Sequence, residues 1–178
     1  MTEPGLPRLR FAAPLTEADL DGLADVLIDC VDGGASVNFM RPLSRERALA
    51  FWRKIAADVD RGIRIVLVAE DEQGIAGTVQ LVLDTPENQP HRADLAKMLV
   101  HRRARRRGIG DALLGAIEAR AVAVGRTLLV LDTAGHEAER LYRRHGWIRV
   151  GTVPDFALWP DGRLCDATYY YRRLGDPA

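Results

Sequence analysis

The sequence predicts an α/β fold, a mixed twisted sheet flanked by helices, and three observations carry that reading. Segments with apolar residues at helical spacing alternate with short apolar runs, in the order β α α β β β α β α β β. Two of the runs flank the tetrapeptide DEQG, which is hairpin chemistry and makes the early strands antiparallel. A later run, TLLVLD, follows a helix that itself follows a strand, so the sheet changes to a parallel strand-helix-strand unit around Gly108. At 178 residues the chain fits one domain spanning 1–178, since domains hold roughly 100 to 200 residues.

Residues 8–13 form the first expected strand. Thr16 follows as an expected N-cap, with Asp19 three positions on in the spacing of a capping box. Leu20, Leu23, Leu27 and Val31 then recur at helical spacing until Gly33 and Gly34 end the helix. A second helix is expected from Ser44, with Ala48, Phe51, Trp52, Ile55 and Val59 on one face, closing at Gly62. Strands are expected over Arg64–Glu70, Ile75–Leu83 and Arg92–Val100. After Gly108 the positions Ile109, Leu113, Ile117, Ala121 and Val124 return to helical spacing until Gly125. The unbroken apolar character of TLLVLD reads as a central strand buried on both faces. Ala138–His145 reads as a helix stopped by Gly146, and WIRVG and ATYYYRRL read as two closing strands around a turn-rich PDGRLCD segment.

Composition narrows the function classes. Hydrophobic residues at 47% and charged residues at 28% match a folded domain and exclude disorder or a fibrous repeat. The longest apolar runs, such as Ile65–Ala69 and Leu128–Leu131, fall far short of the roughly 20 residues a membrane span needs. The first residues carry Pro4 and Pro7 and no apolar stretch of a secretory signal, so a cytoplasmic protein is expected, with Cys30 and Cys165 reduced and serving as packing residues. No metal site is expected. Lys and Arg number 25, as do Asp and Glu, which argues against a general polyanion binder or a membrane-surface protein. Positive charge is nevertheless local: His101 to Val150 holds eleven arginines against five carboxylates. A local basic zone in a neutral protein suits one compact anion.

The segment VHRRARRRGIGDALL joins a strand to a helix through five arginines. A helix start presents free N–H groups and partial positive charge, and glycines at 108 and 110 let backbone approach a phosphate. Neither a GxxxxGK[ST] loop nor GxGxxG with a later acidic residue is present, so nucleoside triphosphates and dinucleotides fit poorly. A solvated arginine run ahead of an ordinary helix is the alternative. What remains, Arg105-Arg106-Arg107-Gly108-Ile109-Gly110, resembles the pyrophosphate loop of the GNAT superfamily of acyl-CoA N-acyltransferases. A second match supports it: Ala138, Leu141, Tyr142, Gly146 and Trp147 occupy the places of Ala-x-x-Leu-Tyr-x-x-x-Gly-[Phe/Trp] found in that family, although Gly135 stands where its members often carry asparagine.

The resemblance implies a GNAT-like fold, acetyl-CoA (coenzyme A) as cofactor, and a set of roles. Met98, Leu99 and Val100 would follow the pantetheine arm, while Arg105, Arg106, Arg107, Gly108, Ile109, Gly110 and Asp111 would hold the pyrophosphate. Tyr142 would protonate the departing sulfur; a helix aromatic without chemistry is the alternative. Blocks over 31–40 and 91–100, with LDTAGHEAERLY and the C-terminal hairpin, are similar to those of a family member that acetylates the amine of a small molecule and forms a homodimer. That member is thought to use acidic residues at the places of Asp94 and Asp132, with glutamate at the former.

Chemistry requires such groups. A primary amine with a reference pKa of about 10 is only about 0.1% neutral at pH 7, so a base is expected. Asp94 and Asp132 are the candidates, either as bases acting through water or as clamps for a substrate ammonium. Residues 33–39, with Gly34, Ser36, Asn38 and Phe39, take the place that lines the acceptor pocket in the superfamily; a plain helix-helix turn is the alternative. Cys165 has no evident histidine partner, which disfavours a covalent acyl-cysteine route. The function expected is acetyl transfer from acetyl-CoA to a small-molecule amine, with an antimetabolite or amino-acid-like compound among the candidates, by direct attack in a ternary complex. Its rivals are a noncatalytic acyl-CoA-binding module on the same fold and a nucleic-acid contact through the arginine loop.

Overall fold

The computed structural model describes residues 7–175, so residues 1–6, where the absence of a signal was read, lie outside the described part. The elements are β1 (Arg8–Phe11), α1 (Glu17–Asp32), α2 (Arg45–Asp60), β2 (Arg64–Asp71), β3 (Gly74–Val82), β4 (Arg92–Val100), α3 (Ile109–Ala123), β5 (Leu128–Thr133), α4 (His136–Arg144), β6 (Ile148–Leu158) and β7 (Leu164–Arg173). A short 3-10 turn, Arg102–Ala104, leads from β4 toward α3. The seven strands form one sheet in the order β1-β2-β3-β4-β5-β7-β6. Among the described residues only β4 and β5 run parallel, connected through α3.

Local chemistry starts the helices where the sequence placed them. The Thr16 hydroxyl accepts from the Asp19 N–H at 3.1 Å and the Asp19 carboxylate accepts from the Thr16 N–H at 2.9 Å, a complete capping box on α1. Ser44 caps α2 by accepting from the Arg47 N–H. On one side of the sheet, Leu23, Leu27 and Trp52 of α1 and α2 bury Val66, Val68 and Leu99. On the other, Leu113, Leu114 and Ile117 of α3 and Tyr142 of α4 bury Leu67, Leu81, Leu95, Leu129 and Leu131. Alternate strand residues thus serve opposite cores, and burying each such side chain is worth about 1.5–3 kcal/mol.

Five expectations are corrected. The strand β5 is buried on one face only: Leu129 and Leu131 are covered, whereas Leu128 and Val130 are partly exposed and Asp132 is open. The helices α1 and α2 lie over β2, β3 and β4 and leave the same face of β5, β7 and β6 uncovered. The closing strands are longer than WIRVG and ATYYYRRL, because β6 continues through a register irregularity to Leu158 and β7 begins at Leu164. Cys165 is therefore a buried strand residue and not part of a turn. The first strand ends at Phe11 rather than at residue 13, and α4 starts two residues earlier than expected.

Candidate active site

The parallel pair β4 and β5 builds the site by coming apart. Their register covers only Arg92–Asp94 against Leu128–Val130, so Leu95–Val100 and Leu131–Thr133 have no partner across the gap. On the other side of β4 the ladder with β3 is also interrupted: Gln80 faces Ala96 and Thr78 faces Leu99, which leaves Lys97 and Met98 together opposite Val79. Lys97 takes a left-handed φ of 50° at this bulge. Bulges of this kind bend a strand and re-aim a side chain. The result is a wedge-shaped opening in the middle of the sheet, bordered by the outer half of β4.

The arginine loop opens onto the same end of β4. Gly108 caps α3 at φ 74° and offers no side-chain bond to the helix, unlike the caps of α1 and α2. The first-turn N–H groups of α3 are thus left for an anion. A Cβ at Gly108 would meet nothing within 4 Å, so the space beside it is open. At Gly110 the structure shows a different need: a Cβ there would lie 3.3 Å from Leu141 of α4, so this glycine allows close helix contact. Three of the loop's five arginines are spent on the fold. Arg102 pairs with Asp29 at 2.9 Å, and Arg103 and Arg107 pair with Asp71 at 2.5 and 3.4 Å. Arg105 donates to the Val100 carbonyl at 3.2 Å, and Arg106 holds a left-handed φ of 61°. Among the described residues, neither Arg105 nor Arg106 pairs with a carboxylate. Asp111 turns its carboxylate to Arg144 at 2.8 Å and His145 at 3.2 Å, so toward an anion it has only its backbone N–H to offer. Leu99 is sunk in the core under α1, whereas Met98 and Val100 are only partly covered.

Tyr142 approaches from α4. Its ring packs against Trp147 at 5.5 Å and Tyr170 at 6.1 Å, and its side chain is buried. Burial, with the nearby Asp132 charge adding to it, pushes the Tyr142 hydroxyl far above its ordinary value. The group stays protonated at every working pH. The structure brings Tyr142 near enough to Asp132 to feel its charge. Asp94 points to the same face of the sheet as Asp132, since both alternate with core residues, and it is paired with Arg92.

Residues 33–39 do more than turn the chain. The Ser36 hydroxyl donates to the Leu158 carbonyl at 3.0 Å and lies 3.4 Å from the Cys165 sulfur, while the Arg41 N–H donates to the Pro160 carbonyl. This segment therefore ties the α1–α2 layer to the β6–β7 hairpin and walls one end of the open sheet face. Gly34 and Asn38 make the bends at φ 88° and 75°. Phe39 packs edge-on against Phe51 at 5.3 Å. Phe51 in turn stands over the Lys97 ammonium, 5.7 Å from ring centroid to nitrogen. Lys97 is the residue that sequence reasoning missed. Its signal was present, a lone cation between Ala96 and Met98 in an otherwise apolar strand half, but no spacing rule predicts which way a bulged residue points.

The residues present fit a coenzyme A thioester: an uncapped helix start with open space, two arginines without carboxylate partners, and a gap in the sheet between loop and tyrosine. Comparisons with known proteins agree. A family described as acetyltransferase (GNAT) domain matches residues 62–149. An uncharacterised N-acetyltransferase from the hisH-hisA intergenic region of Azospirillum brasilense is 32% identical over 120 residues, 66% of this chain and 70% of that protein. The chain belongs to the GNAT superfamily of N-acetyltransferases. Solved GNAT structures superpose closely on it. A ribosomal-protein-alanine N-acetyltransferase from Brucella melitensis shares 26% identity at a TM-score of 0.80, over 94% of this chain and 99% of its own. A phosphinothricin acetyltransferase from Sinorhizobium meliloti, solved with acetyl-CoA, gives 0.80 at 22% identity, over 96% and 90%. The mixed twisted sheet flanked by helices is the GNAT fold. No helix among the described residues is long and apolar enough to cross a membrane.

Proposed function

We propose that this GNAT protein is an acetyl-CoA-dependent N-acetyltransferase whose acceptor is the amine of a small molecule. The observation that supports the reading is a buried Tyr142 near enough to feel the charge of Asp132, a β5 residue beyond the last one paired with β4. Acetyl-CoA supplies an activated acyl group as a thioester. The backbone N–H groups at the start of α3, with Arg105 and Arg106, hold the pyrophosphate, and Met98 to Val100 flank the arm with backbone and partly covered side chains. A backbone N–H near Val100 stabilises charge on the acyl oxygen. Tyr142 gives its proton to the leaving sulfur, and its raised pKa keeps that proton in place until it is needed. Asp132 and Asp94 face the side from which an amine must come, and they take its proton through water or hold its ammonium. Attack is direct, in a ternary complex, without an acyl-enzyme, a reading supported by the burial of Cys165 against Ser36.

The finer likeness supports a small acceptor. Blocks over 31–40 and 91–100, with LDTAGHEAERLY and the hairpin sequence, resemble tabtoxin resistance protein, and on that basis the chain would form a homodimer. Its length fits one domain, 1–178, its balanced charge speaks against nucleic acid as a partner, and a cytoplasmic location without a membrane partner is part of the same proposal. The test is release of free thiol from acetyl-CoA across a panel of amines. Turnover with at least one amine supports the enzyme. Tight acetyl-CoA binding with no acetylation of any amine would instead identify a noncatalytic acyl-CoA-binding module.

A further inference from the structure

Lys97 stands apart from the other cations on the acceptor side of the sheet. Arg92 is paired with Asp94, and Arg64 is held by Asp58 at 3.2 Å and by the Gln80 side-chain oxygen at 2.8 Å. Among the described residues the Lys97 ammonium has no carboxylate within 4.0 Å and rests on the Phe51 ring. It is partly buried, and burial pushes its pKa below the ordinary value, with Arg64 acting in the same sense and Asp132 opposing. A half-buried ammonium carries a desolvation cost that a partner normally offsets. The fold supplies the Phe51 ring here but no carboxylate among the described residues. The bulge and the positive φ that present this side chain are a second cost, since L-residues adopt that conformation rarely.

Charge arithmetic across the opening points to what would complete it. Arg92 pairs with Asp94, and Arg64 shares Asp58 with Arg61, whereas Lys97 and Asp132 have no ion-pair partner among the described residues and act on each other electrostatically without touching. A ligand with one positive and one negative group matches this pair. A dianionic phosphate would overload the single free cation and face Asp132 unfavourably. Phe51, which touches Lys97, and Phe39, which touches Phe51, offer apolar surface beside the ammonium to the organic body that would carry the two charged groups.

We infer that Lys97 is a specificity-determining residue that binds a carboxylate of the acceptor while Asp132 faces its amine, so that the preferred acceptors are zwitterionic, amino-acid-like amines. This rests on the acetyltransferase reading above and names its substrate class. The acceptor's carboxylate replaces the missing partner of the ammonium, and its amine is thereby set at a fixed distance from the thioester position. A primary amine lacking the carboxylate would leave Lys97 unpaired, and a site built to pair a polar group rejects analogues that lack it.

The experiment compares L-amino acids with the amines that lack their carboxylate. Steady-state acetylation gives the ratio of kcat/KM within each pair, and calorimetric titration of the coenzyme A-loaded protein with the same pairs gives the ratio of affinities. The wild-type protein should prefer the carboxylate-bearing member of at least one pair by tenfold or more, through KM rather than kcat. In Lys97→Met that preference should collapse, and Lys97→Arg should restore part of it. Equal use of both members by the wild-type protein, or a preference that survives Lys97→Met, overturns the inference while leaving the acetyltransferase reading intact. If no amine is acetylated, the reading of function fails, and the calorimetric ratio still decides whether Lys97 selects a carboxylate. Wild-type protein that binds neither member of any pair also overturns the inference.

Discussion

Burial makes the Tyr142 hydroxyl a weaker acid and keeps it protonated. Its hydroxyl is pushed up by desolvation first and by Asp132 second, so it never ionises on its own and is present as a donor whenever a sulfur beside it gains charge. Replacing it by phenylalanine keeps the ring packed against Trp147 and Tyr170. Tyr142→Phe should therefore lower kcat by about 10²-fold and leave acetyl-CoA affinity nearly unchanged, as steady-state kinetics and calorimetry would show. Wild-type turnover would reduce Tyr142 to a core aromatic. The two aspartates separate by pH. If either takes the proton, Asp94→Asn or Asp132→Asn should depress kcat/KM most at neutral pH and recover as rising pH supplies free amine. A loss confined to acceptor KM that does not recover identifies an ammonium clamp.

Elements position these side chains through their ends. The α3 start is uncapped and its Gly108 is left-handed, a combination that asparagine tolerates better than other side chains. Gly108→Asn should fold with little loss yet bind acetyl-CoA tenfold or more weakly, because its side chain enters the space beside the free N–H groups. Undiminished affinity in calorimetry would remove the loop from the cofactor site. At the start of α1 the same physics serves stability. Burial tends to raise the Asp19 pKa, but bonds from Arg10 and Thr16 outweigh it and leave the carboxyl below its ordinary value. A carboxyl lowered in the folded state contributes stability above its unfolded value near 3.9 and loses it as pH falls through the folded value. Asp19→Asn should thus cost stability at pH 7 and little at the acid end, below both values. Urea unfolding at the two pH values checks this; an equal cost at both would make the effect one of capping geometry alone.

At the scale of the molecule, the exposed apolar surface is concentrated in one place. Ile148, Val150, Val153, Phe156, Leu158 and Leu164 all lie on the β6–β7 hairpin, at the end of the sheet where β6 has no outer neighbour. If a second copy covers this face, Val150→Asp should turn a dimer into a monomer in sedimentation at unchanged thermal stability of the protomer. A wild-type protein that sediments as a monomer would sink the homodimer. The order of elements was legible because capping residues, glycine stops and period-3.6 patterns are local. The one-sided burial of β5 was not, because an apolar run such as LLVL looks the same whether or not a helix lies over its second face. Nor was the length of β6, since the expected strand WIRVG stops at Gly151 and the structure carries it on through a register irregularity in which Asp155 takes a left-handed φ. Of the candidate site, Tyr142 and the glycine loop carried short-range signatures, while Lys97 depended on a distortion that only the three-dimensional pairing of β3 with β4 reveals.

The parting of β4 and β5 has a further meaning. Proteins normally keep open strand edges at the periphery and protect them there with charge, proline or a bulge. Here two edges lie in the interior, where no foreign strand can enter and only a slender linear molecule bearing its own amides could complete the ladder. The unfinished seam is thus guarded by its location. The region of least internal cohesion in the sheet coincides with the place where occupancy would add most, so loading the protein and tightening its architecture become the same event.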